Sequence, residues 1–343
     1  MSSEVTSIEE KSNNSKNIIT YSAILITFLI ALWLSFQSEG PSKMPKVVTD
    51  EFTFTAWVND GEDYLKKNYR WFTKIIAGYI KNGYYFLEDF LIDSPWLLIA
   101  AIIFLPCLIA GGLRLGLYSL FVIYFWGGTG MWDESMQTLA LMGLSVLLCV
   151  VFGVTLGVLC SQSDRFDNFM KPILDTMQVM PAFVYLFPAL FFFGIGGAPA
   201  ILATMIYAMP PIIRLTNTGI RQVPEQTIES ATSFGSSKLQ LLFKIKIPLS
   251  LPSIMMGINQ VIMMALALVV LACFIGAEGI GGQVWLAIRN LDVGWAMEGG
   301  LCILFMAIMF DRFGLALSKP KTTLPSDCLL YTSDAADDLR GVW

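Results

Sequence analysis

The sequence predicts an all-α, polytopic integral membrane protein with about eight transmembrane helices. Three observations carry that reading. Apolar residues make up 55% of the chain and charged residues only 14%, with a mean hydropathy of +0.63; an ordinary soluble domain carries about 25% charge. The apolar residues are gathered into uncharged runs close to the ~20 residues that a helix needs to cross a bilayer core. The aromatic load is heavy, with 24 Phe, 11 Tyr and 9 Trp, as lipid-facing and interfacial surfaces require. A net charge of −5 argues against a nucleic-acid binder. The chain has no histidine, which excludes Ser-His-Asp and Cys-His catalysis, histidine-ligated metals and histidine pH switches. No catalytic residue and no metal site is expected.

Residues 1–17 are polar and read as a flexible tail. Residues 18–36 (IITYSAILITFLIALWLSF) form an uncharged apolar run preceded by Lys11 and Lys16. No small-residue cleavage site follows, so the run reads as a retained amino-terminal anchor. Segment 37–94 carries seven Lys or Arg, balanced by acids. Leu65, Tyr69, Phe72, Ile76 and Tyr79 recur there at three- and four-residue spacing, which predicts an external amphipathic helix lying at the interface. The apolar block 95–127 is interrupted by GGLR at 111–114. It reads as two short spans, 95–110 and 113–127, turning at Gly111 and Gly112; one long tilted helix is the alternative. Further spans fall at 137–160, 182–197, 199–215, 254–276 and 300–317, so 95–318 forms one transmembrane domain. Cys107, Cys149, Cys160, Cys273 and Cys302 lie inside apolar runs without CxxC spacing, as small core residues do.

Charge orients these spans. The loop 214–252 holds Arg214, Arg221, Lys238, Lys244 and Lys246 against Glu225 and Glu229, so it is expected in the cytoplasm. The 128–136 loop has Asp133 and Glu134 with no base, and the 277–299 loop has three acids against Arg289; both read as external. Eight spans then place both termini in the cytoplasm.

The 221–252 stretch, RQVPEQTIESATSFGSSKLQLLFKIKIPLSLP, carries the strongest functional signal. Pro224 suits the start of a helix, Glu225 its first turn, and Gly235 the left-handed residue that ends it. A helix of about ten residues is marginal alone in water, so it needs something to pack against. Glu229-Ser230-Ala231, three residues, Gly235, nine residues, then Ile245-Lys246-Ile247-Pro248 resembles the "EAA" loop of ABC-importer permeases. Ser230 and Ile247 depart from that pattern, conservatively. The stretches 131–141, 178–225 and 291–312 further resemble permeases of glycine betaine/proline betaine uptake, the osmoprotectant branch of the binding-protein-dependent type I importers.

That resemblance implies a permease subunit of the bacterial inner membrane, paired as a homodimer and working by alternating access. It implies that Glu229, Ser230, Ala231, Gly235, Ile245 and Pro248 dock a separate ATPase subunit, which binds ATP and Mg. It also implies an extracytoplasmic substrate-binding protein. No G-x-x-x-x-G-K-[ST] occurs; the glycine clusters 194–197 and 276–282 contain no lysine, so this chain is not expected to be the ATPase. Gln178, Phe183, Tyr185, Asn259 and Gln260 are candidate pathway residues, with helix–helix adhesion as the plainer alternative. Glu278 is a candidate external gate, with an ordinary loop residue as its alternative. The prolines and glycines of 181–211 mark either moving segments or turns, and Gly196, Gly197 and Pro199 read as a turn. Choline, carnitine or a sulfonium analogue is the alternative solute. A secondary transporter or an intramembrane enzyme is disfavoured, because span interiors hold no acid before Asp311. The tail 319–343 reads as foreign to the protein, with a genuine disordered tail as the alternative.

Overall fold

A computed structural model of the chain describes residues 20–33 and 54–318. The expectations for 1–17, for the ends of the 18–36 anchor and for the 319–343 tail lie outside the described residues. The chain divides into two compact units, Met1–Tyr69 and Arg70–Trp343. In the first, the apolar helix α1 (Thr20–Trp33) is exposed throughout, and α2 (Phe54–Asp93) begins. Every regular element among the described residues is helical.

The second unit holds the rest of α2 and ten more helices. They are α3 (Trp96–Gly128), α4 (Trp132–Gln162), α5 (Asp164–Val179), α6 (Leu186–Phe193), α7 (Gly197–Arg221), α8 (Glu225–Ser233), α9 (Lys238–Leu241), α10 (Ile247–Leu271), α11 (Ile280–Arg289) and α12 (Val293–Ser318). Helix α7 is the hub, most of it buried between α4 and α10. Between apolar helices in lipid, close approach must come from small residues rather than from water exclusion. Gly153 and Gly157 supply it on α4: a Cβ on Gly153 would stand 2.3 Å from Ile212 Cγ2, and one on Gly157 2.6 Å from Thr216 Cβ. Helix α12 packs on α10, and α3 and α11 pack on α12.

Helix α3 is a hairpin. Gly112 has φ 71° and ψ −170°, outside the helical region. In a straight helix Phe104 and Gly116 would be separated by about 18 Å, yet a Cβ on Gly116 would touch the Phe104 ring at 3.0 Å. Trp96 and Gly128, at opposite ends of α3, line one cavity. The chain turns at Gly112, between the two segments expected at 95–110 and 113–127, so one long straight helix over this block is excluded. Each limb is about 24 Å long.

The expected span 182–197 needs correction. Its helical part is a 3₁₀ turn (Ala182–Tyr185) followed by the eight residues of α6, together about 20 Å at most and short of a ~30 Å core. It joins α5 at a bend of 108°, and the two together are long enough to cross. The bend falls at Met180-Pro181, where both residues are extended (ψ 130° and 136°). Pro181 restricts Met180 to that region by steric clash. Counted by length and composition, five described helices can cross the membrane, or six with the bent pair; the hairpin limbs divide one of those five.

Candidate functional site

The end of the bundle that carries residues 222–246 is built around α8. Pro224 precedes the helix with φ −56°, and Glu225 places a negative charge in its first turn. It ends in a Schellman motif: Ser236 N–H donates to Ala231 O (3.1 Å) and Gly235 N–H to Thr232 O (2.9 Å). Gly235 holds φ 81° there, and a Cβ added to it would meet nothing within 4 Å. No residue of α8 is buried. Glu229 and Ser230 are exposed and Ala231 is half-buried. A capping box at Ser237 and Gln240 starts α9. The following turn, Leu242–Lys246, is π-wound, with Ile247 N–H donating to Leu242 O, and Pro248 falls at the first helical positions beyond it, where its missing N–H is tolerated. Ile245 is half-buried, and Pro248 sits on the exposed first turn of α10. The segment between Lys238 and the α10 span is therefore continuous helix, not loop.

Three large apolar side chains beside α8 face outward: Phe234 (92% exposed), Leu239 and Phe243. Exposed clusters of this kind mark contact surfaces. Leu239 and Phe243 are four apart, a spacing that signals one face of a helix even in sequence.

Immediately before α8, the end of α7 is clasped to α4 and α5. Arg221 donates from Nε to Asn217 Oδ1 (2.8 Å), from Nη1 to Asp164 Oδ1 (2.6 Å) and from Nη2 to Cys160 O (2.8 Å). Asn217 Nδ2 donates to Asp167 Oδ1 (2.7 Å), and Lys171 pairs with the other oxygen of Asp167 (2.8 Å). Arg214 pairs with Asp175. The amphipathic α5 thus brings its carboxylates to bases that the sequence offered only as an orientation signal.

Farther along, partly exposed rings form a strip. Phe187 meets Phe183 (5.1 Å between centroids), Phe183 meets Phe274 (5.6 Å) and Phe274 meets Trp285 (4.8 Å), all edge to face. Tyr185 is buried instead, with its hydroxyl donating to Met177 O (2.6 Å) and its ring near Tyr207. Gln178 and Gln260 are exposed on α5 and α10. Asn259 faces α12, with Nδ2 3.5 Å from Asp311 Oδ1 and its amide filling the space above Gly314. Of the five candidate pathway residues, only Phe183 belongs to the aromatic strip; Tyr185 turns to Met177 and Tyr207, and Asn259 turns to α12. Phe187, Phe274 and Trp285 are additions: Phe187 lies four residues after Phe183, a spacing visible in sequence, whereas Phe274 and Trp285 come from elements far along the chain and no periodicity signals them.

A family model described as "Binding-protein-dependent transport system inner membrane component" matches residues 150–317. The Escherichia coli (strain K12) glycine betaine/proline betaine transport system permease protein ProW is 40% identical over 270 residues, covering 77% of this chain and 75% of that protein. The glycine betaine/carnitine transport permease protein GbuB of Listeria monocytogenes serotype 1/2a (strain 10403S) is 38% identical over 283 residues, 80% of this chain and 98% of that protein. This chain belongs to the glycine betaine/proline betaine permease family. A chain of the inward-facing MetNI methionine ABC transporter aligns at 18% identity with a TM-score of 0.49, over 53% of this chain and 94% of that one.

As a betaine-family permease it is a multi-pass protein of the inner membrane. At the end opposite α8, its α2 packs through Ile80, Tyr84, Leu87, Glu88 and Leu91, one helical stripe further along than the Leu65–Tyr79 face that the sequence suggested. The Tyr84 ring occupies the space beside Gly197, where a Cβ would come within 2.9 Å. Gln137 Nε2 donates to Glu88 Oε1 (3.0 Å) and to Glu278 Oε2 (2.8 Å), so one amide bridges two carboxylates. Gln283 similarly donates to Glu134 (2.7 Å).

Burial raises the Glu88 pKa above its ordinary 4.5, and neighbouring Glu278 and Asp89 add to this; the hydrogen bonds from Gln137 and Tyr84 oppose it. Burial and Glu88 likewise keep the Tyr84 phenol neutral. The folded permease therefore binds the Glu88 proton more tightly than the unfolded chain does. Its contribution to stability is complete below the ordinary carboxylate range and is lost as pH rises through the raised value. Thermal melting of the wild type is expected to fall from pH 4 toward neutrality relative to Glu88→Gln, which lacks the titration. Parallel pH profiles would contradict this.

Proposed function

We propose that this permease moves glycine betaine, proline betaine or a similar quaternary ammonium osmoprotectant into the cell, driven by ATP hydrolysis on a separate subunit. The observation that carries the proposal is α8, a nine-residue helix with no buried residue, flanked by exposed Phe234, Leu239 and Phe243. A helix this short is not stable unsupported, and a docked ATPase supplies the missing support. Glu229, Ser230, Ala231 and Gly235 form the docking helix, while Ile245 and Pro248 join it to α10. The Arg221 clasp makes α8 mechanically continuous with α4, α5 and α7, so displacement of α8 reaches the spans. On this reading ATP and Mg belong to the ATPase, the 214–252 loop and both termini are cytoplasmic, and two copies of the permease form the pathway. An external binding protein delivers the solute to the end that holds Glu278.

The solute class is supported by the names of the relatives and by the aromatic strip. A betaine is a zwitterion, and its methylated ammonium gains about 0.5–1 kcal/mol from each exposed ring face, more where water is excluded. Phe183, Phe187, Phe274 and Trp285 offer such faces without a formal charge to hold the solute. Reconstitution in proteoliposomes with the cognate ATPase and binding protein tests the reading. Labelled glycine betaine is expected to accumulate only with all three components and ATP. Uptake without the ATPase would replace this reading with a secondary transporter. Carnitine, named for the Listeria relative, is the second solute to compare.

A further inference from the structure

A cleft of 810 Å³ opens between the turn of the α3 hairpin and the last turns of α12. Arg114 and Arg312 both line it, between apolar walls from Leu115, Tyr118, Ile308 and Leu315. Both arginines are exposed, and neither has an ion-pair partner among the described residues. Arg214 and Arg221, by contrast, each have a carboxylate partner, Asp175 and Asp164. The neighbouring acid, Asp311, is directed toward Asn259 of α10.

The position of the cleft makes the two free guanidinium groups unusual. The hairpin enters from the end that holds Trp96 and Gly128, and its limbs reach about 24 Å, so the turn stops short of a ~30 Å hydrocarbon core. The contact of Asp311 and Gly314 with Asn259 places the cleft in the half of the bundle that leads to the 222–246 loop. Two cations there lie near the inner edge of the apolar layer, where an unpaired charge is costly and is normally compensated. Among the described residues no carboxylate pairs with either arginine, and the surrounding lipid can supply the anion.

We propose that this cleft binds the phosphate headgroup of an anionic membrane lipid of the phosphatidylglycerol class. The guanidinium forks match phosphate oxygens in bidentate geometry, and basic pockets between spanning helices at the cytoplasmic face recognise such headgroups. Leu115, Tyr118, Ile308 and Leu315 give the acyl chains an apolar bed continuous with the bilayer. A free phosphate ion would satisfy the arginines and leave those walls against water, which favours the lipid as the source.

Native mass spectrometry of the full permease, extracted in mild detergent and titrated with phosphatidylglycerol, phosphatidylcholine or glycerol 3-phosphate, tests the site. Wild type is expected to retain phosphatidylglycerol, and Arg114→Gln/Arg312→Gln to bind it about thirtyfold more weakly, at roughly 1 kcal/mol per basic residue and 1.4 kcal/mol per factor of ten. Phosphatidylcholine binding should not change. Three results would overturn the proposal: equal retention of phosphatidylglycerol by the variant, equal retention of both lipids by wild type, or displacement of the lipid by glycerol 3-phosphate at matched concentration. Should the double variant fail to fold, Ile308→Trp crowds the apolar wall of the cleft with both charges kept. Loss of phosphatidylglycerol supports the site and undiminished binding refutes it.

Discussion

Gly235→Trp is expected to reduce ATP-driven uptake by about thirtyfold or more while leaving the permease folded. Gly235 occupies the left-handed region at φ 81°, where any L-residue costs about 1–2 kcal/mol. Space is no obstacle, since a Cβ there meets nothing within 4 Å in this chain. The indole would project beside Phe234, into the face proposed to receive the ATPase. A wedge at the centre of a docking surface costs about 2 kcal/mol or more of binding, about thirtyfold. Gly235→Ala separates the two effects, because it adds the backbone strain with almost no bulk. Its uptake is expected to lie close to wild type. Thermal stability of the isolated permease should match across all three proteins to within the strain at one helix end. Wild-type uptake by Gly235→Trp would remove α8 from the docking assignment, and a collapsed melting temperature would reassign the effect to folding.

The features legible in sequence are those that a lipid environment or a helix end imposes locally. Spans must satisfy their own backbone in hydrocarbon, so α4, α7, α10 and α12 appear wherever uncharged runs do, extended by a few polar residues at their ends. GGLR marks the α3 turn because Gly112 needs φ 71°. Pro224, Glu225 and Gly235 bracket α8 because caps are local chemistry. What escaped was tertiary. Hydropathy sees 182–197 as apolar and cannot see the 108° bend that makes α5 its other half. The acids of α5 fall between the expected spans 137–160 and 182–197, and nothing in sequence says that Asp164 and Asp167 face Arg221 and Asn217, 50 and more residues away. Asn259 looked like a pathway group because it is polar inside a span, and the structure shows it filling the space over Gly314. The aromatic strip was half visible through Phe183, while Phe274 and Trp285 join it only after the chain has crossed the membrane and returned.

Gly157→Leu is expected to destabilise the permease by about 3 kcal/mol, at the upper end of the cost of overpacking, and to lower the yield of inserted protein. The argument rests on what surrounds the added atoms. A Cβ at Gly157 would lie 2.6 Å from Thr216 Cβ and 2.9 Å from the Ile213 carbonyl oxygen. A flexible side chain could swing away, but a helix backbone cannot, so α4 and α7 would have to separate. One turn earlier, Gly153 meets Ile212 at 2.3 Å by the same measure, which makes the contact a two-point close approach of the G-x-x-x-G kind. Separation there would strip dispersion contacts from the central helix of the fold, and lipid returns no hydrophobic force to restore them. Gly157→Ala should lower the melting temperature less, in the same direction. Gly143→Leu supplies the control on the same helix, since a Cβ there meets nothing within 4 Å; its melting temperature is expected to equal that of wild type. Equal stability of Gly157→Leu and Gly143→Leu would mean that α4 and α7 are not held by this contact. The Arg221 clasp, which ties the same two helices together at their ends, would then have to carry the association.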